Sequence, residues 1–454
     1  MITTINPATE EILNEYQEFD ESQIEAKIEL ASKQQKLWQK TTFAHRSTFM
    51  KQAACILRDG KQKYAKLMAL EMGKPLSQGI AEAEKCALVC DYYAENAENQ
   101  LADEIIKTEF SKSYASYQPI GTVLAIMPWN FPFWQVFRFA APGLMAGNTG
   151  LLKHSSNTMG CAIAIEEIFK EAGFPEGVFS SLVVGSALIA RIIEHHKIAA
   201  VTLTGSTPVG QKVAAKAGSC IKKTVMELGG SDPYVILADA DLKKAAAACT
   251  TARLINSGQS CIAAKRFVVV ESVIDDFTAL FVENMKNNKM GNPLEEGIAV
   301  GPQARKDLQL DLQRQVETSV KMGAKLLLGG NIPEGKGYYY PPSVLTDVRK
   351  GMPAYYEELF GPPAAIIPVK NEEEAIAVAN DTSFGLGAAI FTEDIEKGER
   401  IAREELQAGA CFLNAFVRSD PRLPFGGIKE SGYGRELSSF GIKEFVNIKC
   451  VCVE

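Results

Sequence analysis

The sequence predicts an α/β protein: a doubly wound parallel sheet, a second α/β region after it, and a small β arm. Three observations predict this. From residue 119, short apolar runs of four to seven residues alternate with helical segments. A second alternation of the same kind follows Gly229-Gly230. The chain then closes on "FVNIKCVCVE", a strand-like stretch at its extreme end.

Residues 21–100 come first and read as helices. "QIEAKIELASKQQKLW" and "HRSTFMKQAACILRD" repeat apolar residues at three and four spacing, and "AKLMALEMGKP" stops at Gly-Lys-Pro. Residues 105–118 alternate polar with apolar or aromatic positions, the signature of an exposed antiparallel strand. The parallel strands of the first sheet are expected at "IGTVLAIMP", "NTGLLKHS", "SSLVVG", "IAAVTLTGS" and "KKTVMELGG". Those of the second are expected near "RFVVVES", "AKLLLGG", "AAIIPVK", "AAIFT" and "ACFLN". A terminal strand as apolar as 445–454 needs a partner, so pairing with 105–118 or with another subunit is expected.

The chain has 48 basic and 55 acidic residues, a net charge of −7 and no basic block. This argues against a nucleic-acid or anionic-membrane surface. The polar, acidic start is not a signal peptide, and no run of about 18 apolar residues is available to span a bilayer. A cytoplasmic protein is expected. Ten cysteines lie scattered without paired spacing, and there are only four histidines. Free thiols in a reducing compartment fit that pattern, and no metal site is expected. Cys86 and Cys90 share one helical face and read as core.

Four stretches carry chemistry. "NSGQSCIAAKR" (256–266) presents Cys261 on a polar bend between apolar runs, as a nucleophile would be presented. "TLTGSTPVG" (202–210) ends a strand at Thr204, turns at Gly205 and caps a helix with Ser206, which leaves free N–H groups for a phosphate. In "IMPWNFP", Asn130 follows a buried strand, where its amide suits an oxyanion. In "VMELGG", Glu227 sits in an apolar run, where burial raises a carboxyl pKa toward that of a general base. Lys153 ends the strand in "LLKHSS", placed for ribose or phosphate oxygens or simply for solvent.

"PWNFP", "TGS", "ELGG", "GQSC", "EELFGP" (357–362) and "PFGGIKESGYGRE" (424–436) occur in this order, together with "EMGKP" (71–75) and "NDTSFGLGAAIFT" (380–392). This series resembles the aldehyde dehydrogenase superfamily over nearly the whole chain. The resemblance implies Cys261 as nucleophile, Asn130 as oxyanion donor and Glu227 as base for thioester hydrolysis. It implies cofactor contacts from Trp129, Lys153, Ser156, Gly205, Ser206, Glu358 and Phe360. It also implies a cofactor-binding domain of residues 1–100 and 119–228, a catalytic domain of 229–436, and an oligomerisation arm of 101–118 and 437–454. A homodimer or homotetramer follows from that arm.

Departures from the family pattern sharpen the expectation. Ser156 stands where many NAD-preferring members have a glutamate, which removes the repulsion against a 2′-phosphate. "KHS" resembles bacterial succinate-semialdehyde dehydrogenases that use NAD well, so NAD is favoured, with NADP as a second cofactor. Arg138, eight residues after Asn130, matches an arginine that such enzymes use for the substrate carboxylate. The position of a second arginine is Ile255 here, and Arg418, Ser419, Arg422 or Arg253 is expected to compensate. Ala263 replaces a redox-switch cysteine. Succinate semialdehyde is the expected substrate, and another small aldehyde or semialdehyde is the alternative. A cysteine hydrolase or acyltransferase would need a histidine base that no strand-end motif supplies. A non-catalytic scaffold would not need Asn130, Glu227, Cys261 and Glu358 together.

Overall fold

A computed structural model describes all 454 residues. The chain begins with a hairpin of β1 (Ile2–Ile5) and β2 (Ile12–Tyr16), which sequence patterning did not indicate. Four helices follow: α1 (Glu21–Trp38), α2 (Phe43–Asp59), α3 (Lys61–Met72) and α4 (Leu76–Gln100). Asp20 caps α1 through a full capping box with Gln23. Gly73, at φ 78°, ends α3 in the left-handed turn that glycine favours.

After β3 (Glu104–Ile105) and β4 (Lys112–Pro119) the first parallel sheet begins. Its strands are β5 (Thr122–Met127), β6 (Thr149–His154), β7 (Phe179–Ser181), β8 (Ile198–Thr204) and β9 (Lys223–Glu227). Helices α5 (Trp134–Met145), α6 (Met159–Glu171), α7 (Ile189–Glu194) and α8 (Thr207–Ser219) connect them. Both faces of this sheet are covered. Val123, Ala125 and Met127 of β5 enter the core built on α2 to α6, while Leu124 and Ile126 point into the opposite core with Ile24 and Ile28. Unbroken apolar runs are therefore what these strands require.

The second sheet uses β10 (Pro233–Ile236), β11 (Arg266–Val270), β12 (Lys325–Leu328), β13 (Ser343–Thr346), β14 (Pro363–Val369), β15 (Gly387–Phe391) and β16 (Ala410–Leu413). Helix α9 (Leu242–Leu254) links β10 to the turn before β11. The order is β12-β13-β14-β11-β10-β15-β16, parallel except for β12. Its strands likewise split their residues between two cores.

The chain returns to the first sheet before it ends. Strand β17 (Gly432–Tyr433) pairs antiparallel with β9, giving the order β17-β9-β8-β5-β6-β7. A Cβ on Gly432 would collide with the Met226 carbonyl, so glycine is what lets the strands close. This return precedes residue 436, where the boundary of the second region was expected. The last strand, β18 (Val446–Val453), pairs along its whole length with β4. The terminal strand thus finds its partner within the chain. No helix is long and apolar enough to cross a membrane.

One buried ion pair holds the approach to α5. Lys74 and Glu82 pair with both side chains almost fully enclosed. Glu82 Oε1 also accepts from the Phe133 and Trp134 N–H groups at 2.9 Å, capping the start of α5. Lys74→Met leaves Glu82 short of its counter-charge and is expected to cost about 3–5 kcal/mol, seen as a lower denaturation midpoint. Adding Glu82→Gln should restore part of the loss. An unchanged midpoint for Lys74→Met would contradict this role.

Candidate active site

Between α9 and β11 the backbone makes a turn that few residues adopt. Asn256 and Ser257 have φ 53° and 56°, and Gly258 follows at 76°. Left-handed backbone at non-glycine residues costs on the order of 1–3 kcal/mol each, so surrounding bonds must hold it. Asn256 N–H donates to Gln78 Oε1 at 2.6 Å. Its Nδ2 donates to the carbonyls of Asn130 and Gln259. Ser257 Oγ accepts from Gly301 N–H, and Gln259 Oε1 accepts from Ala304 N–H. A Cβ on Gly258 would overlap the Gly361 carbonyl, so the turn lies directly against the 357–362 motif.

Cys261 emerges from this turn partly exposed. Lys265 Nζ donates to the carbonyls of Ser260 and Cys261 at 2.8 and 2.6 Å, and lies 3.3 Å from Glu358 Oε1. Burial pushes the Cys261 thiol up to about 12, against the opposing charges of Lys265 and Arg138. Asn130 Nδ2 donates to the Gln259 carbonyl at 3.0 Å, and its Oδ1 accepts from Gln135 Nε2. That orients the amide and leaves its second proton uncommitted. A thiol and an oriented amide donor on one rigid frame suit addition to a carbonyl.

Glu227 ends β9 fully buried, and neither carboxylate oxygen has a partner. Gly426 lies against Oε1. Burial, then the Glu436 charge, holds the Glu227 carboxyl well above its usual range, opposed by Arg138. Arg138, expected to take the substrate carboxylate, has its guanidinium engaged by protein groups. Its Nε pairs with buried Glu436, its Nη2 donates to Thr204 Oγ1 at 3.1 Å, and its guanidinium lies over the Phe425 ring. Burial inside α5 forces that pairing, because an unpaired guanidinium would be costly.

A second group of the expected residues lies at the C-terminal ends of β6 and β8. Ser206 caps α8 with its hydroxyl free of any cap bond, the first turn carries no acid, and a Cβ on Gly205 would meet only the Leu203 side chain, at 3.6 Å. Lys153 is half-buried without an acidic partner, and burial lowers its pKa. Ser156 is exposed three residues on. Trp129 and Phe360 meet edge to face at 5.7 Å. Glu358 Oε1 accepts from Gly230 N–H at 3.0 Å. A free helix N-terminus, an unpaired lysine and an aromatic wall fit the pyrophosphate, ribose and nicotinamide parts of a dinucleotide.

His154 ties the two halves together. Its Nδ1 accepts from Ser155 N–H at 2.8 Å, so Nε2 is the donor to the Pro132 carbonyl. Burial lowers its pKa to about 4, which keeps the ring neutral. The end of β6 is thereby fixed to the loop that carries Asn130.

The other candidates are scattered. Arg418 is exposed over Phe416, and Arg422 pairs with Asp420. Arg253 is buried with Nη2 donating to the Gly258 carbonyl, so it braces the turn from behind. Ser419 is buried and accepts from Lys85 Nζ at 2.7 Å. Sequence reasoning missed Lys85, Lys265 and Glu436. Lys265 and Glu436 lay inside quoted motifs and Lys85 in none, and no local pattern marks any of the three.

The profile of the aldehyde dehydrogenase family matches residues 1–451. The chain is 49% identical over 452 residues to a probable succinate-semialdehyde dehydrogenase [NADP(+)] of Synechocystis sp., covering 100% of this chain and 99% of that one. It is 46% identical over 455 residues to succinate-semialdehyde dehydrogenase [NADP(+)] 1 of Mycobacterium tuberculosis, with the same coverage. The crystal structure of succinic semialdehyde dehydrogenase from Streptococcus pyogenes in complex with NADP+ superposes with TM-score 0.97 at 36% identity, covering both chains fully.

A thiol pushed up to about 12 is protonated at neutral pH in the free protein. Alkylation of the Cys261 peptide by iodoacetamide should therefore rise about tenfold per pH unit from pH 7 to 10, because the thiolate reacts. Lys265→Met, which removes an opposing positive charge, should slow it at every pH. A plateau below pH 8, or faster alkylation in Lys265→Met, would contradict this geometry.

Proposed function

The chain belongs to the aldehyde dehydrogenase family, and from that premise we propose that it oxidises succinate semialdehyde to succinate, with NADP preferred over NAD. The observation that carries the chemistry is the convergence of Cys261 and the Asn130 amide on the frame of the 256–259 turn. The named relatives support the substrate and the cofactor.

In this reading the Cys261 thiol gives up its proton to solvent, the resulting thiolate attacks the aldehyde carbon, and the carbonyl oxygen becomes an oxyanion. The free proton of the Asn130 amide and the Cys261 N–H receive that charge. Losing one such donor typically costs about 2.7–4 kcal/mol. Bound NADP supplies the acceptor for the hydride lost from the aldehyde carbon. The carbon then remains on Cys261 as a thioester. Glu227 takes a proton from water, the water oxygen adds to the acyl carbon, and the Cys261 sulfur leaves as succinate is released. A carboxyl held above its ordinary range suits a base working near neutrality.

Lys153, Ser156, Gly205 and Ser206 would hold the adenosine and pyrophosphate side, and Trp129, Glu358 and Phe360 the nicotinamide side. No carboxylate stands at Ser156 to repel a 2′-phosphate, and together with the NADP-named relatives this reverses the expectation that favoured NAD. We assign the cofactor to the six-stranded sheet and the nucleophile to the seven-stranded one. We also assign self-association, as a homodimer or homotetramer, to the β3-β4-β18 arm. Ile105 and Ile448 stand exposed there.

Purified protein should reduce NADP with succinate semialdehyde, with a higher kcat/KM than with NAD, and Cys261→Ala should abolish turnover. No reduction of either cofactor across a panel of semialdehydes would overturn the reading. The pH profile gives a separate check. Glu436 raises the Glu227 pKa, so Glu436→Gln makes Glu227 easier to ionise and frees Arg138 to favour the charged form. The acid limb of kcat/KM should move to lower pH. A shift to higher pH would contradict the assigned base.

A further inference from the structure

A cavity of about 410 Å³ opens between α4, the start of α5 and the end of α9, within the size range of small-molecule sites (roughly 300–1,000 Å³). Phe131 and Trp134 form its aromatic wall, and Ile255 lies beside it, one residue before the strained turn. Phe131 directly follows Asn130 in the chain and Ile255 precedes the turn that leads to Cys261, so the cavity borders both segments that carry the catalytic candidates.

Of the cations around this region, Lys85 alone lines the cavity. Arg138 is taken by Glu436 and Thr204. Lys74 is taken by Glu82. Arg253 faces the Gly258 carbonyl, and Arg422 is paired with Asp420. Lys85 lines the cavity and makes no ion pair. Its ammonium donates to Ser419 Oγ at 2.7 Å and lies 4.3 Å over the Trp134 ring. Glu82 also lines the cavity, but its oxygens are occupied by Lys74 and by the Phe133 and Trp134 N–H groups.

We propose that Lys85 is the cation that receives the far carboxylate of the substrate, with Ser419 as its hydrogen-bond partner, where Ile255 offers no charge. The inference rests on the semialdehyde reading above and names the residue that gives the site its preference for an acidic aldehyde. Burial and the Arg138 charge bring the Lys85 ammonium down to about 8, with Cys86, Glu82 and Asp420 opposing that shift. An under-compensated ammonium of this kind gains from an incoming carboxylate. Trp134 closes the apolar side, and an ammonium over an indole face is itself favourable.

The test compares kcat/KM for succinate semialdehyde with that for pentanal, an uncharged aldehyde of similar length, using NADP. Lys85→Met keeps the apolar stem and removes the charge, and the ratio of the two values should fall about 10–100-fold, the worth of a hydrogen bond to a charged group. Lys85→Arg should keep most of the ratio, and succinate should inhibit Lys85→Met less strongly than wild type. An unchanged ratio in Lys85→Met, with wild type still selective for succinate semialdehyde, overturns the role of Lys85 alone. A wild-type enzyme that prefers pentanal overturns the semialdehyde reading, and this inference with it.

Discussion

Three successive residues in left-handed backbone, Asn256, Ser257 and Gly258, are the constraint on which the site depends. Such a turn does not persist on its own. It persists because Gln78 from α4, the carbonyls of Asn130 and Gln259, and the amide of Gly301 each satisfy one of its polar groups. Apart from Gln259, these partners come from distant parts of the chain. The turn is therefore where the helices before the first sheet, the oxyanion loop and the second sheet become one frame. Cys261 inherits its position from that frame.

Around this frame the protein buries an unusual amount of charge. Glu227, Glu436 and Arg138 share one enclosed cluster, and Lys265 sits fully buried between the nucleophile loop and Glu358. Burial raises the pKa of both the Cys261 thiol and the Glu227 carboxyl above their ordinary ranges. Arg138 lies near enough to oppose both shifts. It works as an internal balance of charge, which explains why its guanidinium is engaged and why a different cation faces the cavity.

Much of the fold was legible because parallel strands covered on both faces must be apolar throughout. Runs such as "TVLAIM" and "RFVVV" are visible without context. Strand β10 escaped notice because Pro233 opens it, and proline in a run argues against a central strand. Glu227 and Cys261 stood out because each breaks the texture of its neighbourhood. Lys85 did not, since one lysine on an amphipathic helix looks like any solvated lysine. Lys265 folds back on its own loop and reaches Glu358, and Glu436 pairs with Arg138, so only the tertiary structure reveals them. Arg138 had the right position and the wrong availability, because its partner Glu436 lies 298 residues further along the chain.

The central claim is that Cys261 carries the substrate through a thioester that Glu227 resolves. Glu227→Gln protein mixed with succinate semialdehyde and NADP, quenched in acid and digested, tests it by mass spectrometry. The account predicts a succinyl thioester accumulating on the peptide that carries Cys261, with one equivalent of reduced cofactor formed before turnover stalls. Acylation at Cys411 or another cysteine, or a burst of reduced cofactor with an unmodified Cys261 peptide, would contradict it.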